Sequence, residues 1–141
     1  MGYGLGSGKN CASMRTLSLH QPWASLLADG RKLWETRHWK GSDFLLGREI
    51  AIHAAQKVDK AACVDFGYDP DRIPRGAVVS THILEQYLQF TEENVRGIKD
   101  DYGDFYPGRW GWKLRRVRRF DEPILATGHQ AIWEWTPPWE N

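Results

Sequence analysis

The apolar and polar positions of this chain fall into short segments divided by Gly, Pro and Asp punctuation. Arg15–Leu19 reads as a short strand. Gln21-Pro22-Trp23 then turns into a helix running to about Asp29. Pro22 suits a first helical position, where its missing N–H has no intrahelical partner to lose, and Gly30 is a helix stop. Lys32–Arg37 is a strand in which Leu33, Trp34 and Thr36 supply β-preference. A polar loop over 38–47 precedes the apolar run Ile50-Ala51-Ile52, a buried strand within Glu49–Ala54, and a helix over 56–66 follows. Ala77–Phe90 is a long β-leaning run with Val78, Val79, Thr81, Ile83 and Tyr87. Thr91-Glu92-Glu93 is a helix start, with Thr91 as the cap and acids in the first turn. Trp110–Phe120 is a strand broken by Asp121-Glu122-Pro123, and Gln130–Trp135 is the last one, ended by Pro137-Pro138. About six strands with few helices do not alternate as βαβ units, which disfavours a parallel α/β sheet. A small, partly closed barrel with two or three helices fits best.

The 141 residues suit one domain, able to bury a core without disulfide or metal staples. The boundaries expected are a flexible, glycine-alternating tail over 1–13, a domain over 14–136 and a C-terminal tail over 137–141. The composition is globular, with 41% hydrophobic and 26% charged residues. Nineteen Lys and Arg against eighteen Asp and Glu leave a net charge of +1, so overall charge selects no partner. Cys11 and Cys63 form no disulfide framework, which points to reduced thiols and an intracellular setting, cytoplasmic or nuclear according to the organism. No apolar stretch is long enough for a membrane helix, and no membrane partner is expected.

Four constellations carry chemistry. Gly30-Arg31-Lys32-Leu33-Trp34-Glu35-Thr36-Arg37 puts Glu35 and Arg37 on one strand face with Lys32 at its start, either an ordinary ion pair or a carboxylate that fixes a cation toward a ligand. Ser18-Leu19-His20-Gln21-Pro22-Trp23 leads into a helix N-terminus. It is either a capped turn or a polar rim with Trp23 as a stacking face. Arg109–Arg119 holds six basic residues in eleven and no acid. Alternation puts Trp110, Trp112, Leu114, Arg116 and Arg118 on one face, which suits phosphate contact with base stacking or a charged edge strand equally. Asp100, Asp101 and Asp104 are placed to neutralise part of that patch. His53 lies at a strand end, as a site residue or a satisfied core histidine. The histidines and Cys63 show no metal-ligand spacing, so neither a metal nor a cofactor is expected.

Leu17–Leu27, with its Gln21-Pro22-Trp23-Ala24-Ser25-Leu26 core, Gly30–Arg37 with its G-x-K-x-x-E-x-R spacing, and Ile50–Ala55 occur in an order that closely resembles the ASCH (activating signal cointegrator homology) family of the PUA-like superfamily. Pro74–Val79, Trp110–Leu114 and Ala131–Trp135 extend the resemblance over about residues 15–136. It implies an α+β fold, a small PUA-like β-barrel of about six strands flanked by two or three helices. It also implies nucleic-acid binding, RNA ahead of DNA, in a basic cleft beside the G-x-K-x-x-E-x-R strand. By position, Lys32, Glu35 and Arg37 line the cleft and Ser18, His20, Gln21 and Trp23 form its rim. His53, Arg116 and Arg118 add polar and phosphate contacts, and Trp39 or Trp110 adds a stacking ring.

One branch of the family hydrolyses acetylated cytidine through a Lys/Thr/Glu arrangement in which the Lys and Thr lie three residues apart. Here Lys32 matches, but Glu35 stands at the Thr position and Thr36 faces the other way. A carboxylate serves as a general base but does not replace a hydroxyl nucleophile. The alternative expectation is therefore a hydrolase, an amidohydrolase or ribonuclease, acting on a modified nucleoside or RNA. Lys32 and Glu35 would be its catalytic pair and a free nucleotide or nucleoside its ligand.

Overall fold

Strand pairing carries the architecture of the computed structural model, which describes residues 13–140. The elements in chain order are β1 (Met14–Gln21), α1 (Trp23–Ala28), β2 (Trp34–Arg37), β3 (Glu49–Val58), α2 (Lys60–Phe66), β4 (Ala77–Gln89), α3 (Glu92–Ile98), β5 (Trp110–Leu125) and β6 (Ile132–Trp135). Short 3-10 turns lie at Asp43–Leu45 and Pro138–Glu140. Of the expected 1–13 tail, all but Ser13 lies outside the described residues, as does Cys11. In the last turn Trp139 packs on Phe120 and Trp135.

The six strands form one mixed sheet in the order β2-β5-β4-β3-β1-β6, with β1 and β3 parallel and every other pair antiparallel. The end strands β2 and β6 do not pair with each other, so the α+β, barrel-like sheet stays open along one seam. Leu17, Leu27, Ile50, Ile52, Leu84 and Trp112 are fully buried and make up most of the main core, with Trp23 and Trp39 packed at its margin.

The local differences from the sequence reading have tertiary causes. β3 runs on to Val58 because its end pairs with Gln21 of β1. α2 consequently starts at Lys60, where the Asp59 carboxylate caps it by accepting from the Ala62 N–H at 3.0 Å. Pro22 precedes α1 as its N-cap residue. β5 does not break at Asp121-Glu122-Pro123. Residues 120–123 bulge out between the pairs Arg119–Ser80 and Ile124–Val78, so Pro123 is not asked for a ladder hydrogen bond. A second bulge, at Val117, separates Arg116, paired with His82, from Arg118, paired with Thr81. Because His82 and Thr81 are consecutive, Arg116 and Arg118 lie on opposite faces, which corrects the single basic face expected from plain alternation.

Candidate functional site

The motif residues meet at the open seam, where β2 faces the stretch of β1 after Leu17 that β6 does not pair. Lys32, just before β2, is buried to 1% exposure and aims its ammonium at the loop after α3. It donates to the Tyr102 carbonyl at 3.1 Å, lies 3.8 Å from Glu35 Oε1 and faces the Phe105 ring. A Cβ on Gly103 would sit 3.0 Å from Lys32 Nζ and from Phe105, so the loop packs closely on the lysine at this glycine. Burial pushes the Lys32 ammonium below the usual lysine range. Glu35, Asp100 and Asp104 oppose that shift, and Arg109 adds to it.

Glu35 holds Arg37 through its other oxygen, with Arg37 Nε donating to Oε2 at 2.9 Å. Arg37 Nη2 also donates to the Ser18 carbonyl of β1 at 3.3 Å, and Trp39 backs the guanidinium at 5.8 Å. Arg37 thus spans the open seam and divides it. On one side is a cleft of about 480 Å³ lined by Trp23, Lys32, Glu35 and Thr36, with Phe66 and the 101–104 loop opposite. On the other is a cavity of about 860 Å³ lined by His53, Gln56 and the 125–131 loop. Ser18, His20 and Arg37 line both. His20 is held below its ordinary histidine range by desolvation, with Lys57 and Arg37 adding to the effect.

The first cleft carries Lys32, Arg37 and Arg109 against Glu35, Asp101 and Asp104. It is charge-balanced, where the sequence suggested a basic one. Asp101 and Asp104 face this cleft, where of the Arg109–Arg119 patch they meet Arg109.

A hydrogen-bonded chain builds the wall of the second cavity. The Ala126 carbonyl can only accept, so the His53 nitrogen 2.8 Å from it, Nε2, carries the ring proton. Nδ1 of the neutral ring then accepts from the Ser18 hydroxyl at 3.0 Å, and Ser18 Oγ accepts in turn from Trp133 Nε1 at 2.9 Å. Desolvation lowers the His53 pKa. The Ala126 bond works against that shift and His129 with it, consistent with the neutral form.

Of the residues singled out from the sequence, Ser18, His20, Trp23, Lys32, Glu35, Arg37 and His53 come together at these two cavities. Trp39 stands behind Arg37. Gln21 turns inward. It is fully buried, donating from Nε2 to Ser25 Oγ and the Pro74 carbonyl and accepting from the Ser25 N–H, and it lines neither cavity. Trp110, Arg116 and Arg118 line neither cavity as well. Trp110 lies against Tyr87 and Lys40, Arg116 donates to the Ala28 carbonyl at 2.8 Å, and Arg118 covers Trp139. Sequence reasoning missed the 101–104 wall, Arg109 as a cleft residue and the whole 125–131 loop. The Asp- and Gly-rich composition of 100–108 was the one available signal. Among the described residues no group of His, Cys, Asp and Glu is placed to hold a metal ion, and no helix is long and apolar enough to cross a membrane.

This site on an open, barrel-like sheet has the architecture of the PUA-like class. The family model for the ASCH domain matches residues 17–123, and the chain belongs to the ASCH domain family. Two crystal structures of the ASCH protein from Zymomonas mobilis share the fold. Its tyrosine-to-phenylalanine variant superposes with a TM-score of 0.53 at 18% identity, covering 79% of this chain and 75% of that one. Its serine-to-alanine variant gives 0.53 at 19% identity, covering 79% and 73%. At this identity the likeness is one of fold. No curated protein matches the chain.

Proposed function

We propose that this ASCH domain binds nucleic acid, RNA ahead of DNA, with Arg37 as its phosphate contact. One observation carries the reading. The guanidinium is clamped by Glu35 and the Ser18 carbonyl at the common wall of two solvent-open cavities, with Nη1 making no hydrogen bond among the described residues. A pre-oriented guanidinium with a free N–H suits phosphate better than a mobile surface lysine, because little side-chain entropy is lost on binding. Family membership supports the choice of ligand class. The test is a titration with labelled single-stranded RNA, duplex RNA and duplex DNA at two salt concentrations. Salt-sensitive binding to RNA is expected, with Arg37→Ala lowering the log–log slope by about one. An unchanged slope in that variant would remove Arg37 from the contact.

A second reading, hydrolysis of a modified nucleoside such as acetylated cytidine, is favoured by Lys32. Its amine is buried, held below the usual lysine range, and 3.8 Å from a carboxylate at the cleft wall. The charge balance of that cleft also suits a small uncharged ligand. In this reading Lys32 and Glu35 are the catalytic pair. Glu35→Gln then abolishes turnover and leaves substrate binding intact. If the domain only binds, Glu35→Gln weakens binding and no substrate is consumed by the wild type.

A further inference from the structure

The second cavity has no role in the reading above, yet it shares a wall with the first. Among the described residues, its only fixed charge is Arg37, and no carboxylate lines it. The first cleft balances three cations with three carboxylates. An anion therefore gains most at the shared wall, while each chamber suits an uncharged polar ring system. Both volumes, about 480 and 860 Å³, fall within the ~300–1,000 Å³ typical of small-ligand sites.

Each chamber also has an aromatic and a polar side. The first offers Trp23 and the Phe66–Tyr102 pair, whose rings meet edge to face at 5.0 Å. The second offers His129, resting on Trp133 at 5.2 Å, with the amides of Gln56 and Gln130. Such groups stack on bases and bond their edges. The second chamber is also built to hold its shape. The Trp133–Ser18–His53–Ala126 chain ties its loop to β1 and β3, and a Cβ on Gly128 would collide with the His53 ring.

We propose that the two cavities together bind one unstacked dinucleotide step of a single strand, with the phosphodiester at Arg37 and one nucleoside in each chamber. The inference rests on Arg37 as the phosphate contact and adds the second chamber as a nucleoside subsite. A duplex does not meet this geometry, because its bases are paired and stacked away from both chambers.

Calorimetric titration of the whole chain with the four ribo-homodinucleoside monophosphates and the matching nucleoside monophosphates tests it. At least one dinucleotide is expected to bind tenfold or more tighter than either of its mononucleotides, since joining two subsites makes the second binding event intramolecular and gains about 10²-fold or more. Thr127→Trp and Gln130→Trp each introduce a bulky ring at an exposed position of the second chamber. Both are expected to bring dinucleotide affinity down to that of the mononucleotides. Equal affinity for mono- and dinucleotides in the wild type overturns the inference, as does an advantage that survives in both variants. If mononucleotides or single-stranded RNA still bind in those cases, the phosphate reading at Arg37 stands and only the second subsite falls. If no nucleotide and no RNA binds, both fall. The matching deoxydinucleotides separate an RNA step from a DNA step.

Discussion

Arg37 of β2 donates to the main-chain carbonyl of Ser18 on β1 at 3.3 Å, joining two strands that are not neighbours in the sheet. The bond crosses the gap left by an unclosed barrel and turns one opening into two chambers with a cation between them. Glu35 makes this possible by holding Nε of the same guanidinium. The i, i+2 spacing along a strand, which puts both side chains on one face, thus decides where positive charge meets the cavities.

Glu35 is the carboxylate partner of both Lys32 and Arg37, and its side chain is only 10% exposed. Glu35→Gln leaves the buried Lys32 ammonium without its nearest countercharge. We expect a loss of about 3 kcal/mol in urea unfolding, the usual cost of orphaning one member of a buried pair. A loss within error would mean that Asp100 and Asp104 compensate the lysine unaided.

Arg116 caps the carbonyl of Ala28 at the end of α1 and lies against Gly30. Arg116→Ala is expected to cost about 1 kcal/mol of stability, the worth of a charged hydrogen bond to a helix C-terminus. Because the side chain lines neither cavity, the salt slope of RNA binding should stay unchanged. A slope lowered by about one in this variant would restore Arg116 as a phosphate contact.

His82 is 1% exposed, with Nε2 at 2.9 Å from Ser80 Oγ and Nδ1 without a hydrogen-bond partner among the described residues. Desolvation, with Arg116 adding to it, pulls its pKa from 6.5 down to about 4. The unfolded chain therefore binds the extra proton first, and stability falls as pH drops from about 6.5 towards 4. The full effect is on the order of 3 kcal/mol. His82→Leu should flatten that part of the stability–pH curve; equal slopes in the two proteins would exclude His82 as its source.

Gly111 of β5 sits where a Cβ would collide with the Phe90 ring and come within 2.9 Å of Trp34. These two rings and Val95 form the small core under α3. Gly111→Ala is expected to destabilise by about 1–3 kcal/mol, the common cost of overpacking. Thermal unfolding checks it, and an unchanged midpoint would mean that Phe90 moves aside freely.

Thr91→Ala removes a capping box in which the Thr91 hydroxyl accepts from the Asn94 N–H and the Asn94 side chain accepts from the Thr91 N–H. A loss of about 1 kcal/mol is expected in urea unfolding. No loss would show that α3 is held by the Val95 contact alone.

The sequence by itself determined the local elements, the family and one half of the site. Ile50-Ala51-Ile52 is consistent with a buried strand, and Thr91 with acids after it fits a helix start. The G-x-K-x-x-E-x-R spacing fixed Glu35 beside Arg37, because side-chain direction along a strand is a local property. Only the tertiary structure decided what those residues face. The bulge at Val117 sent Arg116 and Arg118 to opposite faces, since register depends on the partner strand and not on the strand's own pattern. The acids at Asp100 and Asp104 came to Lys32 because loop closure after α3 brought Gly103 against it. The second chamber exists because β2 and β6 do not pair, and the 125–131 loop, anchored by His53, forms one wall of the opening left beside them. These relations join residues far apart in the chain, where composition and spacing carry no distance information.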